Sequence, residues 1–102
     1  MTDKEYAVRI YCLVFHVKDD GGDANIQGIL NTVGALEDRE RTLLECYYRR
    51  GMTYAQIGRA FSLSGEQAGR IIKRAVLKLR HPSRWRPMSM ARIEKDRAVK
   101  NS

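Results

Sequence analysis

One short pattern occurs twice, eleven residues apart, and it constrains this chain more than any other feature. Thr53-Tyr-Ala-Gln56 has the form Thr-x-x-Gln, and Ser64-Gly-Glu-Gln67 has the form Ser-x-x-Gln. Each is a capping box, in which the hydroxyl accepts from the backbone three residues on while the amide side chain reaches back. Two helix starts so close leave room for one short helix, Tyr54 to Phe61, and a tight turn at Ser62-Leu63. A longer helix then runs from Gly65 to about Arg80. The predicted unit is a helix-turn-helix. Ile57, Phe61 and Leu63 supply its core-facing apolar residues, and Gly58 lets the two helices cross closely. Ala68, Ile71, Ala75 and Leu79 form the predicted buried stripe of the second helix.

The opposite face of that helix carries Glu66, Arg70, Lys73, Arg74 and Lys78. In a DNA-binding helix-turn-helix the first residues of the second helix meet base edges, and basic residues further along reach phosphates. The candidate DNA-binding residues are therefore Ser64, Gly65, Glu66, Gln67, Gly69, Arg70, Lys73, Arg74, Lys78 and Arg80. The plain alternative is a helical hairpin with a solvated basic face. The short first helix, the glycine at the crossing and the basic outer face favour DNA.

Charge supports the same reading. The net charge is +7. Residues 1–40 hold four basic and eight acidic side chains, whereas residues 41–102 hold fifteen basic and four acidic. A basic half on so small a chain points to a polyanion, most often nucleic acid. At 102 residues there is room for one modest core and no two-domain cleft.

Upstream of the motif, three more helices are expected. Tyr6, Ile10, Leu13, Val14 and Val17 share one helical stripe, although the β-branched and aromatic content also allows a strand. The Gly-rich break Asp19 to Asp23 follows. Ile26, Ile29, Leu30 and Val33 then repeat at helical spacing, with Asp23 or Asn25 as N-cap and Gly34 as a stop. Glu37-Asp-Arg-Glu40 suits a helix N-terminus. Leu43, Leu44, Tyr47 and Tyr48 give that helix its apolar face, and Gly51 ends it. The division expected is an N-terminal apolar segment over 1–22, a helix-turn-helix domain over 23–84 and a basic tail over 85–102. Residues 6–17 offer a surface for packing on the domain, for a homodimer or for a partner protein. Trp85 either stacks on a base or partner, or folds back over the core.

Other classes find little support. The apolar stretch from Tyr6 to Val17 is broken by Arg9 and is too short for a bilayer, which takes about 20 apolar residues. It also lacks the marks of a signal peptide. Cys12 and Cys46 read as buried thiols, and with His16 and His81 they show no metal-ligand spacing. No nucleophile, acid–base or phosphate-loop constellation is recognisable, so neither an enzyme nor a cofactor is expected.

A specific resemblance adds to this. Leu36-Glu-Asp-Arg-Glu40, Thr53-Tyr-Ala-Gln-Ile-Gly58, Phe61 and Leu77-Lys-Leu-Arg-His-Pro-Ser-Arg84 resemble region 4 of bacterial primary sigma factors. From Thr53 to Arg84 the likeness needs no gap, and it extends over about residues 26–84. It implies an all-α fold, a small helical domain with a C-terminal helix-turn-helix of sigma region 4 type. It also implies that the second helix reads the minus-35 element of double-stranded promoter DNA and that another surface docks on the β flap of RNA polymerase. Sigma regions 2 and 3 have no counterpart here, so the expectation is a free-standing, sigma-like protein of a bacterium or phage, cytoplasmic and nucleoid-associated. The chain departs from the family at Gly65 and Gly69, where the family has arginine, and at Arg70, where it has glutamine; Glu66 is kept. One arginine–guanine pair is worth about 1–3 kcal/mol of discrimination, so part of the reading head is missing. The expected function is a DNA-binding transcription regulator acting with RNA polymerase at promoters. The alternative is an interaction module that mimics region 4 and binds the flap or another transcription factor without reading DNA.

Overall fold

The computed structural model describes residues 1–93, and among them the secondary structure is helical with no strand. The first element settles the helix-or-strand ambiguity. Helix α1 spans Asp3–Phe15, opened by a complete capping box of Thr2 and Glu5. It closes at His16, whose φ of 55° lies in the left-handed region. Because the helix stops there, Val17 is not on its stripe and is exposed. The buried face is instead Tyr6, Ala7, Ile10, Tyr11 and Val14. That face packs within the chain's own core, the first of the three uses expected of residues 6–17.

Helix α2 spans Ile26–Gly34, with the Asn25 side chain accepting from the Gly28 N–H. Helix α3 spans Asp38–Tyr48 and buries Leu43 and Leu44 completely. It ends at Arg49, and Gly51 then takes a φ of 68° to turn the chain.

Both predicted capping boxes form. Gln56 N–H donates to Thr53 Oγ1 at 3.1 Å, and Thr53 N–H donates to Gln56 Oε1 at 2.9 Å. Gln67 N–H donates to Ser64 Oγ at 3.0 Å, and Ser64 N–H donates to Gln67 Oε1 at 2.9 Å. They open helix α4, Tyr54–Ala60, and helix α5, Gly65–Leu79. Two expected core positions are corrected. Phe61 is the last residue of the α4 cap rather than a buried residue, and it is 39% exposed. Ser62, at φ 59°, turns the chain, and Leu63 packs against the core as expected. On α5 the deep stripe is Ala68, Ile72, Ala75, Val76 and Leu79, with Ile71 only half-buried at its edge. Ile71 and Ile72 are equally apolar, so periodicity alone does not choose between them.

After α5 come a short helix α6, Pro82–Trp85, and a 3-10 turn, Arg86–Met88. Trp85 folds back: its ring meets Phe15 edge-on at 5.8 Å, and the Arg92 guanidinium lies 4.8 Å above it. Met88 is fully buried. Residues expected to begin a basic tail at 85 are thus packed on the domain as far as Ile93; the tail from 94 to 102 lies outside the described residues. No helix of the described residues is long and apolar enough to cross a membrane.

Candidate nucleic-acid interface

The site is one face of α5. Ser64 caps the helix and fixes where it starts, and the apolar stripe fixes how it rotates. Together they leave Glu66, Gln67, Arg70, Lys73 and Arg74 exposed. Arg70 Nη2 donates to Glu66 Oε1 at 3.1 Å. Both side chains are more than two-thirds exposed, so this pair is weak and opens readily. Lys73 and Arg74 make no ion pair among the described residues.

The remaining expected residues divide differently. Ser64 and Gln67 tie their side chains into the capping box. Lys78 and Arg80, placed with the DNA-facing set from sequence, are half-buried and take partners within the chain. Lys78 Nζ lies 2.9 Å from the carboxylate of Glu40, a residue only 5% exposed, and 3.8 Å from Glu37. Arg80 donates from Nη2 to the Leu13 carbonyl at 2.9 Å. Glu40 was read as a helix-dipole partner; its larger role is to receive Lys78. Gly65 and Gly69 face α4 rather than open solvent. A Cβ at Gly65 would lie 3.4 Å from Ala55 Cα, and one at Gly69 would lie 3.0 Å from the Tyr54 ring.

Two neighbours were not anticipated. Arg39, from the first turn of α3, joins Gln67, Arg70 and Arg74 around a shallow cavity of about 160 Å³. Tyr54, the first residue of α4, covers Gly69. No local pattern links α3 to α5, so sequence periodicity holds no signal for Arg39. The adjacent glycines at 65 and 69 were the available hint for Tyr54.

A cationic helix face, started by a cap and backed by a short crossing helix, is the geometry of groove-binding helix-turn-helices. Residues 33–81, from the end of α2 to the residue after Arg80, match the family model for sigma-70, region 4. The chain carries a sigma-70 region 4 domain. Region 4 is a DNA-binding, regulatory helix-turn-helix family and not an enzymatic one. No curated protein and no solved structure matches the chain. Helix α1 and the closing segment after α5 lie outside the residues that match region 4.

Proposed function

We propose that this chain regulates transcription by placing α5 of its region 4 domain in the major groove of promoter DNA while held by RNA polymerase. The observation that carries this is the division of α5 into two faces. Glu66, Arg70, Lys73 and Arg74 point outward, and Ala68, Ile72 and Leu79 anchor the helix. Glu66 is suited to accept from a cytosine amino group, and Arg70 to donate to a guanine edge. Lys73, Arg74 and Arg39 supply phosphate contacts. A single module of this size makes few contacts, so tethering to polymerase raises its effective concentration at a promoter. The β flap is the proposed tether, and a cytoplasmic, nucleoid-associated location follows from that partner.

The test is fluorescence anisotropy against a minus-35 duplex and a scrambled duplex, over a salt series, with and without core polymerase. Sequence preference that survives rising salt supports base reading. Glu66→Ala and Arg70→Ala should each change that preference, and unchanged preference in both would remove α5 as the reading helix. The competing reading is a polymerase-docking module without base recognition. It draws on Leu77, which is 64% exposed on the basic face. Equal, steeply salt-dependent binding to both duplexes would favour it.

A further inference from the structure

Few side chains in the first turns of α5 are free to meet a base. Ser64 and Gln67 hold each other in the capping box, at 3.0 and 2.9 Å. Ala68 is fully buried. Gly65 and Gly69 carry no side chain, and both face α4: a Cβ would lie 3.4 Å from Ala55 at the first and 3.0 Å from the Tyr54 ring at the second. Glu66 and Arg70 remain. They stand one helical turn apart, and Arg70 Nη2 donates to Glu66 Oε1 at 3.1 Å. The Glu66 side chain is 82% exposed and that of Arg70 68%, so both charged groups stand clear of the core. Arg39 and Arg74 line the same shallow cavity as Arg70. Like charge on that side favours holding the Arg70 guanidinium against Glu66. One N–H of the guanidinium serves Glu66, which leaves its other donors and the second carboxylate oxygen for a ligand. In water the pair is weak, because solvent screens both charges. In a groove that excludes water it is stronger, and it spares the carboxylate an unpaired approach to the phosphates.

We infer that Glu66 and Arg70 read DNA as one paired unit, whose target is a guanine edge with a cytosine amino group beside it, within two base pairs; this rests on the region 4 reading above. In the major groove guanine shows two acceptors, N7 and O6, and cytosine shows one donor, N4. The remaining donors of Arg70 match the first, and the remaining oxygen of Glu66 matches the second. Adenine sets a single acceptor beside a donor, so it cannot take both prongs of the Arg70 fork. One turn of α5 advances about 6 Å, while base pairs stack about 3.4 Å apart, so the unit spans no more than two. Each residue holds the other in place, and removing either one disables both. So narrow a target refines a position that polymerase chooses; it does not select a promoter from a genome by itself.

The experiment selects bound duplexes from a pool randomised over the minus-35 element, using the full chain with and without core polymerase. The parent should enrich G·C roughly tenfold at one position or at two adjacent ones, and little elsewhere. Glu66→Ala, Arg70→Ala and the double variant should lose that enrichment to the same extent. Arg70→Lys keeps the charge but not the fork, so it should lose enrichment while the salt slope, measured by anisotropy on the selected duplex, stays as in the parent. Lys73→Ala is the control, and should flatten the slope by about 0.9 and keep the enrichment. All these side chains are exposed, so the thermal midpoints should equal that of the parent. Enrichment that falls partway in each single variant and vanishes only in the double would overturn the unit and leave the region 4 reading standing. Enrichment at three or more positions, or of A·T pairs alone, would do the same. A parent that enriches nothing in either arm would overturn both the unit and base reading by α5.

Discussion

Gly58 sits where α4 meets the start of α5, with no space for a side chain. A Cβ there would lie 2.5 Å from the Leu63 carbonyl oxygen and 2.9 Å from the Ser64 carbonyl carbon. Both are backbone atoms and cannot rotate aside, and the Leu63 N–H already donates to the Gly58 carbonyl at 2.7 Å. Gly58→Ala should cost about 2–3 kcal/mol, the scale of an overpacked core, as a lower urea midpoint at unchanged slope. The need for a small residue here was legible in the sequence, because two helix starts so close force a tight crossing. The fate of Phe61 was not. It has the right hydrophobicity for the core, but it falls at the C-cap before the left-handed turn at Ser62 and stays 39% exposed, while Leu63 packs on the core as expected.

At the scale of the element, α5 presents basic residues of two kinds. Lys73 is exposed and makes no ion pair among the described residues, while Lys78 neutralises the buried Glu40. Removing one partner of a buried pair strands the other charge, at about 3–5 kcal/mol when both are fully buried. The Lys78 side chain is 35% exposed, so solvent screens part of this and the expected cost is nearer about 1–3 kcal/mol. Lys78→Ala should therefore lower the thermal midpoint and leave the salt slope of DNA binding unchanged. Lys73→Ala should do the reverse. Boundaries and caps of α5 could be read from the chain because they rest on contacts three residues apart. Which lysine is held in an ion pair could not, because its partner lies in α3.

For the whole molecule, Asp23 ties the two ends of the described chain together. Its carboxylate accepts from the Tyr11 hydroxyl at 2.7 Å, the Ser89 hydroxyl at 2.7 Å and the Ala91 N–H at 2.8 Å. Asn25 N–H donates to the Met88 carbonyl at 2.9 Å alongside. The Ser89 and Tyr11 hydrogen bonds hold the Asp23 carboxyl below its ordinary value. Stability from a carboxyl lowered in the folded state is complete above its unfolded value, about pH 4, and is lost as pH falls through the folded one. Asp23→Asn should be less stable than the parent at pH 7, and the gap should narrow below about pH 4 in urea titrations at both ends. From sequence, Asp23 was only one of two candidate caps, and Asn25 took that role. The sequence by itself determined the helices α2 to α5, the turn between α4 and α5, and the exposed charged face of α5, since caps and periodicity act within a few residues. Tertiary structure alone decided that Lys78 reaches Glu40 across 38 residues, that Arg80 reaches Leu13 across 67, and that Ser89 reaches Asp23 across 66. These contacts exist only once the core has brought distant segments together, and no local pattern encodes which polar group will be left in need of which partner.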